Sequence, residues 1–479
     1  MITYQDLQNV GTDESKRMEF VRNVIHTHEN SDEYKMAQTA DLYDKRQNKT
    51  IMEYRKLLYT ITGQAVEDNF SANYKLCSAF FQRLVTQQNQ FLLGNGVSWN
   101  EGTTADSLGN DFDTRLQEAG HYALVDGVSF GFWNLDHMEV FRLLEFAPLW
   151  DEEDGGLKAG VRFWRIDPLK PLRATLYELD GYTDYIWRSD GPEVLNPKRQ
   201  YVLKVRKSPS EGTEIIDGEN YPSFPIVPLW GNQHHQSELV GLQESIDAYD
   251  LIKSGFANDI DDASLIYWTI NNAGGMDDID LVNFVNHMKT VKAAVIDDDG
   301  ARAESHSIEV PYASREAILE RLRSDIYDDF MALDTKNLAS GAVTATQIKA
   351  AYEPMNNKAD LYEYQVIDFL QSILELAGIE DDPSFTRSMI INTQENIQTL
   401  VQAATYLSSE YVTQKTLEYL GDTDKLEDVL AQMQEDEMTA MGVSGEESEE
   451  SDFDEEDDSD INAQLDELLA LLESDEDGE

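Results

Sequence analysis

Two amphipathic helices that flank a small insert, followed by a loop of small residues and a proline-interrupted helix, dominate the chain between Ser237 and Ala377. The first helix is predicted from Leu239 to about Ile260, because apolar residues recur there every three or four positions. These residues are Leu239, Leu242, Ile246, Tyr249, Ile252, Phe256 and Ile260. A single enzyme domain rarely needs this arrangement, whereas a subunit that packs beside copies of itself does.

A second helix with the same period is predicted from Ser314 to Leu333, with Ser314 as its N-cap. Its apolar residues are Ile318, Leu322, Ile326, Phe330 and Leu333. The opposite face of the first helix is strongly negative, whereas in the second helix acidic residues alternate with Arg315, Arg321 and Arg323. Because charged helix faces are common, periodicity alone also fits an ordinary helical hairpin with solvated faces, and it favours that alternative.

The insert between the two helices combines one helix with two strands. The helix is predicted near Asp278–Met288, and the strands at Val291–Ile296 and Ser307–Val310. Asp297–Gly300 is expected to be the turn between the strands rather than a calcium loop, because an EF-hand needs glutamate at the position that Ile308 occupies.

The rest of the chain divides by pattern into a helical start and a β-rich middle. Residues 1–70 are expected to be mostly helical, with a break at Tyr43–Asn48. A further helix is predicted from Ala72 to Leu93, where Gly94-Asn95-Gly96 ends it. From Gly120 to Pro228, short β-type runs separated by glycine, proline and Asp-Gly predict antiparallel strands. The predicted fold class is therefore mixed α+β and largely helical.

The formal net charge of −55 restricts the partners of this chain. No Lys or Arg follows Lys425, and residues 426–479 hold 23 acidic residues, which leaves −32 for residues 1–425. A body this negative argues against nucleic-acid binding through a basic patch, but it is compatible with a negative channel through which DNA slides. The acidic tail, residues 435–479, is expected to be mostly disordered.

No motif for catalysis is strong. Cys77 is the only cysteine, and its apolar helical setting predicts a buried thiol rather than a nucleophile. Asp259, Asp261 and Asp262 could form a metal-dependent nuclease site, although a solvated negative face is the simpler interpretation. We expect no enzyme and no cofactor, with a structural divalent cation left open. The absence of a signal peptide or an apolar run of membrane-spanning length predicts a soluble, reduced protein with no membrane partner.

Several segments resemble tailed-bacteriophage portal proteins of the SPP1-like family. Asn73-Tyr74-Lys75 precedes a helix that leads to Gln90–Val97, where Asn95-Gly96 replaces the family's usual x-Pro. Tyr122–Gly131 and Phe224–Asn232 follow in the family's order. The most specific similarity lies in the first long helix, in Glu238-Leu239, Ile246 to Asp250, Ser254, Ala257, Asn258 and Asp259.

The resemblance implies the portal architecture of wing, stem, clip and crown. The segments expected from it are a wing at 1–236, stem helices at 237–263 and 313–333, a clip at 264–312, a tunnel loop at 334–346, a kinked wing helix at 347–379, and a crown at 380–434. Because a proline in a helix removes a backbone donor, we expect the kink at Pro354.

The resemblance also implies partners and a location. The expected assembly is a homo-oligomeric ring, a dodecamer in the virion, at one capsid vertex, and it is assembled in the host cytoplasm. Double-stranded DNA is packaged and ejected through it. The other expected partners are the terminase large subunit, head-completion or adaptor proteins, and the major capsid and scaffold proteins.

Two sets of residues are candidates for facing DNA. The tunnel-loop candidates are Lys336, Asn337, Leu338, Ser340 and Gly341, of which Lys336 would make a weak, salt-sensitive contact. The acidic candidates for the tunnel lining are Asp247, Asp250 and Asp262. Two alternatives to a portal stay open, namely the nuclease with its Asp259 cluster and a non-portal capsid or scaffold protein.

Overall fold

The computed structural model describes most of the chain, in two compact units. They comprise Met1–Ile390 and Ile391–Glu479. The residues described are 2–59, 64–68, 73–208, 212–263, 267–271, 302–306, 312–338 and 345–388, together with 397, 400–420, 425–426 and 429–433. The following account concerns these residues.

In the sequence of the first unit, helices lie before and between groups of strands. In chain order they are α1 (Tyr4–Val10), α2 (Glu14–Glu29), α3 (Asp32–Asp44), α4 (Lys49–Glu53), α5 (Phe80–Leu93), α6 (Thr104–Leu108), α7 (Phe112–Asp126), α8 (Gln243–Ala263), α9 (Tyr312–Phe330), α10 (Thr335–Leu338) and α11 (Ala345–Ala377). In the second unit, a 3-10 turn at Ala404–Tyr406 precedes α12 (Ser409–Leu420).

The strands form small antiparallel sheets. They are β1 (Leu57–Tyr59), β2 (Ala65–Glu67), β3 (Val97–Trp99), β4 (Val128–Asn134), β5 (His137–Arg142), β6 (Phe146–Trp150), β7 (Leu157–Trp164), β8 (Leu172–Glu178), β9 (Gly181–Arg188), β10 (Gly191–Arg199), β11 (Val202–Ser208), β12 (Gly212–Glu219), β13 (Ile226–Trp230), β14 (Tyr267–Asn271), β15 (Arg302–His306) and β16 (Pro383–Phe385). The largest sheet has the order β10-β9-β8-β7-β6, and a second has the order β13-β4-β5. The predicted antiparallel β-rich region and the mixed α+β class are confirmed.

Helix α2 packs against one face of the five-stranded sheet. Alternate residues of β7 and β8, such as Val161 and Leu176, are fully buried against Val21 and Ile25 of the helix. Because successive side chains of a strand point to opposite faces, this alternation gives the sheet one apolar side for the helix. The five-stranded sheet and α2 therefore share one hydrophobic core.

The second sheet packs on α7 and α11 in the main core of the unit. Helix α7 ends at Gly127, whose φ of 92° is in the left-handed range that favours glycine. On β4, a Cβ added to Gly131 would lie 2.5 Å from the ring of Phe369 in α11. Glycine at that position therefore lets α11 approach the sheet closely, and both glycines belong to the segment that resembles the portal family.

Arg142 joins three elements near this core. Its guanidinium donates to both carboxylate oxygens of Asp126 in α7, at 2.8 and 2.9 Å, and to Asp41 in α3 at 2.7 Å. Burial raises the pKa of Asp126 to about 6, although the hydrogen bonds and charge of Arg142 oppose this increase. The ion pairs fix α3 and α7 against β5.

We expect His28 to make the stability of the fold pH-dependent. Its Nε2–H donates to the Leu143 carbonyl at 2.8 Å, and burial lowers its pKa from the usual value. The unfolded chain therefore takes up a proton below about pH 6.5 that folded His28 takes up only at lower pH, so stability is lost as the pH falls. His28→Gln should flatten this part of the profile between about pH 5 and 6.5, as measured by urea unfolding. His26→Gln, at an exposed position of the same helix, is the control.

The N-terminal predictions are partly confirmed. The break at Tyr43–Asn48 lies between α3 and α4 as expected, and α5 ends at Leu93 before Gly94. The helix predicted from Ala72, however, begins only at Phe80, and Cys77 lies half-buried in a non-helical segment, so its predicted helical setting is wrong. The backbone N–H groups of this segment bind side chains of α8 instead of forming a helical turn.

Boundaries elsewhere also differ from the predictions. Strand β16 pairs with β3 inside the first unit, so the first unit extends to Ile390, beyond the predicted crown boundary at residue 380. Within the described insert, only β14 and β15 are present, paired antiparallel. Several predicted elements lie outside the described residues. These are the strands at 291–296 and 307–310, the helix at 278–288, the turn at 297–300, and the tail at 435–479.

Candidate functional site: the long-helix pair and its anchors

Helices α8 and α9 form an antiparallel pair. Asp259, near the end of α8, pairs with Arg315 near the start of α9. At the other end of the pair, Phe80 of α5 packs edge-on against Tyr249 of α8 and Tyr327 of α9, with ring centroids 4.9 and 6.2 Å apart. The strands β14 and β15 continue from the end where Asp259 lies. One end of the pair thus packs against the main core of the first unit, and the other end leads into the insert.

The most buried side chains of α8 beyond Ile246 are polar. Asp250, Ser254 and Asn258 are 0%, 2% and 6% exposed, and they recur every four residues on one face of the helix. An extended segment runs beside them and donates its alternate backbone N–H groups. Ser78 N donates to Asp250 Oδ1 at 2.9 Å, Leu76 N to Ser254 Oγ at 2.9 Å, and Tyr74 N to Asn258 Oδ1 at 2.6 Å. We name these three contacts the polar ladder.

The polar ladder is possible because four residues of α8 and two residues of the segment beside it span nearly the same distance. Four residues of α-helix rise about 6 Å, and two residues of an extended chain advance about 6.6 Å. Side chains of α8 therefore take the place of a neighbouring strand for residues 74–78 and satisfy N–H groups that burial would otherwise leave unpaired. The polar ladder joins two of the segments that resemble the portal family, Asn73-Tyr74-Lys75 and the Ser254/Asn258 cluster.

The prediction that Asp250 lines a tunnel is wrong. Its carboxylate is fully buried and binds the Asn48 side chain as well as the backbone of Ser78, so it faces the body of the chain. Burial raises the pKa of Asp250, while these hydrogen bonds oppose the increase. Asp247 likewise points inward, because its two carboxylate oxygens accept hydrogen bonds from Tyr43 and Thr50. The side chain of Asp262 lies outside the described residues.

The predicted apolar stripes are buried at only one end of the pair. Leu242 and Ile246 of α8 lie in the main core, as do Ile326 and Phe330 of α9. Toward the insert the stripe residues become accessible, and Ile260 and Ile318 are 45% and 48% exposed. The outer half of the pair thus presents apolar side chains that are about half exposed in the described part of the chain.

The segment after α9 is fixed by ion pairs where a loop is predicted. Arg323 donates to both carboxylate oxygens of Asp334 at 2.6 and 2.7 Å, a bidentate geometry. Lys336 lies in the one-turn helix α10 and binds both oxygens of Glu320 at 2.9 and 3.0 Å. Asn337 and Leu338 belong to the same turn, so the described part of the predicted loop is helical, while Ser340 and Gly341 lie outside the described residues.

A buried lysine joins this region to α11. Lys358 Nζ contacts Glu238 Oε2 at 2.6 Å, donates to the Phe330 carbonyl at 3.1 Å, and lies 3.3 Å from the centroid of the Phe330 ring. Burial lowers its pKa, whereas the charge of Glu238 opposes the decrease. Sequence reasoning missed this pair because its partners are 120 residues apart. Lys358 thus connects the segment that leads into α8, the end of α9 and α11.

Helix α11 is continuous across Pro354. Beside the proline, Tyr352 stacks on Phe91 with ring centroids 5.8 Å apart, and Met355 joins the same apolar cluster. A kink at Pro354 stays a prediction. Helix α11 begins at Ala345, two residues before the predicted start at 347.

The proposed nuclease cluster has no support from the described geometry. Asp259 is engaged with Arg315, and the described residues contain no group of three or more His, Cys, Asp or Glu side chains placed to hold a metal ion. Among the same residues, no helix combines the length and apolarity needed to span a membrane.

A family model described as phage portal protein, SPP1 Gp6-like, matches residues 23–440, which is most of the chain. The class that this match defines is the portal proteins of phages. Within that class, the chain belongs to the SPP1 Gp6-like family.

Two curated relatives are similar in sequence, and both are named portal protein. The protein of Clostridium phage phiCD119 is 29% identical over 198 residues, which cover 39% of this chain and 44% of that relative. The protein of Bacillus phage SPP1 is 22% identical over 386 residues, which cover 74% of this chain and 75% of the relative. The chain thus aligns with less than half of the first relative and three quarters of the second.

Chains in solved structures of gene transfer agent particles also match this chain. A chain of the native particle's virion shares 12% identity with a TM-score of 0.42, and the match covers 71% of this chain and 89% of that chain. A chain from the neck of the native particle, computed with C12 symmetry, shares 11% identity with a TM-score of 0.40, over 70% of this chain and 88% of that chain.

Proposed function

We propose that this chain is the subunit of a portal ring at one capsid vertex, through which double-stranded DNA is packaged and ejected. The family match over residues 23–440 carries the proposal. In this proposal α8 and α9 are the stem, and the insert at 264–312 is the clip that meets the terminase large subunit and later the head-completion or adaptor proteins. Residues 1–236 and α11 are the wing, residues 334–346 the tunnel loop, and the crown follows Ile390.

The uncovered apolar half of the long-helix pair supports assembly into a ring. Ile260, Ile318 and Tyr312 are about half exposed in the single chain. In a ring, the stems of neighbouring subunits would bury these side chains against each other, with a gain of about 25 cal/mol for each Å² of apolar surface. A dodecamer in the virion, bound to the major capsid and scaffold proteins, is the assembly that we propose.

A negative channel remains part of the proposal, but fewer acidic residues are candidates for its lining. Asp247 and Asp250 bind the body of their own chain, so of the three predicted acids only Asp262 stays a candidate. Lys336 is paired with Glu320, which weakens its proposed contact with DNA phosphate. We propose no catalytic role and no cofactor for this chain, with a structural divalent cation between subunits as an open addition.

Ring formation by the purified full-length chain tests the proposal. Negative-stain images should show closed rings with an axial hole, and Ile318→Glu should reduce the ring fraction at least fivefold because it places a charge in the stem contact. Leu361→Glu, at a comparably exposed position of α11, is the matched control. Monomers in every condition, or shells and elongated bundles, would contradict the portal and favour a different capsid component. Packaging of DNA into capsids assembled with the variants then measures the channel role.

A further inference from the structure

A cavity of 870 Å³ opens between the end of α2, strand β6 and the segment that leads to α8. Its walls are largely aromatic and aliphatic. The rings of Trp150 and Trp230 are stacked 5.6 Å apart, and His235 stacks on Trp230 at 3.8 Å. Leu149 and Val240 complete this part of the lining. We name it the aromatic pocket, and its size and lining suit a small group of apolar side chains.

The hairpin turn that connects β7 and β8 carries exposed apolar side chains that could fill such a pocket. At its tip, Ile166 is 80% exposed and Leu169 is 94% exposed, and among the other described large apolar residues only Tyr406, at 90%, is comparably accessible. We name residues 165–171 the apolar tip. Single exposed apolar residues are common, but two of them on one projecting turn form a knob.

The apolar tip is held in one shape. Asp167 accepts hydrogen bonds from two backbone N–H groups, through Oδ1 from Leu169 and through its carbonyl from Lys170, both at 2.9 Å. Pro168 lies inside this turn and Pro171 follows it, so two φ angles are fixed. Because the turn is already ordered, binding through it costs little conformational entropy.

A chain cannot place its own apolar tip against the tryptophans of its own aromatic pocket. In the β6–β7 pair, Trp150 lies opposite Leu157, whereas the hairpin tip follows Trp164 at the other end of β7. Seven residues of strand separate Leu157 from Trp164, or about 23 Å at 3.3 Å per residue. No residue of the apolar tip lines the cavity. A knob and a pocket at opposite ends of one sheet can meet only between copies.

The charges beside the two features are complementary. Arg165 and Lys170 belong to the apolar tip and, with Asp167, give it a net positive charge in a chain of net charge −55. Asp32 and Glu33, in the first turn of α3, belong to the lining of the aromatic pocket. Opposite charges at the rim of a contact favour one orientation and faster association.

We propose that the apolar tip of one subunit inserts into the aromatic pocket of the neighbouring subunit in the ring. This inference rests on the proposed ring. The contact is heterologous, since a knob on one copy enters a pocket on the next, and repeating it by rotation closes a ring. It would be a second contact besides that of the stems. Leu169 and Ile166 enter between Trp150, Trp230 and Val240, while Arg165 and Lys170 face Asp32 and Glu33.

A charge at the knob tests the contact. Leu169→Asp should raise the subunit concentration at which half of the protein is in rings at least tenfold, as measured by mass photometry over a dilution series. Leu179→Asp is the matched control, because Leu179 is an exposed leucine in the next hairpin turn, and it should behave like the parent protein. An unchanged half-assembly concentration for Leu169→Asp would overturn the inference.

Cysteine pairs test the partner directly. In a Cys77→Ser background, subunits with Leu169→Cys are mixed with subunits with Val240→Cys, assembled and oxidised with copper phenanthroline. Disulfide-linked dimers on a non-reducing gel are expected only from the mixture, and such a link joins two chains by design. Closed rings without these dimers would overturn the knob contact and leave the proposed portal ring intact. A parent protein that forms no rings would overturn both. A pocket filled by another virion protein in assembled rings would overturn only the knob contact.

Discussion

Asp250→Ala is expected to lower the free energy of unfolding by about 3 kcal/mol, because it removes the acceptor for two donors in the interior. The Ser78 N–H would lose its partner, and the Asn48 amide would keep the Ser78 carbonyl, 3.3 Å away, in a region where Asp250 is 0% exposed. Chemical denaturation of the purified protein, followed by circular dichroism, measures the change. Residues 73–79 should also become more accessible to protease, because they lose their strongest contact with α8.

Two variants make this result specific. Asp250→Asn retains the shape and one carbonyl acceptor, so its loss should be smaller, about 1 kcal/mol. Glu244→Ala, at an exposed position of the same helix, should change stability by less than about 0.5 kcal/mol. If Asp250→Ala unfolds like the parent protein, the polar ladder does not anchor α8. A carboxylate that serves only a DNA channel would instead show no effect on folding and a change in packaging.

Removing one member of the Lys358–Glu238 pair is expected to cost about 3–5 kcal/mol, because the remaining charge stays buried without its partner. In Lys358→Met, the Glu238 carboxylate retains only the Asn232 amide, 3.0 Å away, and the Phe330 carbonyl loses a donor. The thermal midpoint and the free energy of unfolding should both decrease. Lys349→Met, at an exposed position of α11, is the control and should have little effect.

A double-mutant cycle separates this pair from simple loss of packing. Glu238→Gln combined with Lys358→Met leaves no unpaired charge, so at least half of the stability lost in Lys358→Met should return. Additive losses in the double variant would show that the two side chains act independently. The cycle matters for assembly as well, because the pair connects both long helices with α11.

The strands and most helices could be predicted from sequence because their signals are local. The runs around Val161 and Ala174 alternate in the period of a strand, and the glycines after Leu93 end α5 where the pattern indicates. The family resemblance added the order of the segments and so the class of protein. These signals need only residues that are close in the chain.

The buried face of α8 could not be predicted in the same way. The period of Asp250, Ser254 and Asn258 is as regular as that of the apolar stripe, but polarity alone indicated a solvated face. What buries these residues is a segment more than 170 residues earlier in the chain, and its unpaired N–H groups leave no local signal. The same is true of Lys358 and Glu238. In both cases, the partners that bury the polar side chains lie more than 100 residues away in the chain.

The polar ladder also affects how the joint between α8 and the body can change. Each rung consists of one side chain and one main-chain N–H, and none of them uses the helix's own backbone hydrogen bonds. A single substitution can therefore strengthen, weaken or remove one contact of the polar ladder, while the helix and the segment beside it keep their geometry. The stiffness of this joint is a property that mutation can adjust in three separate steps.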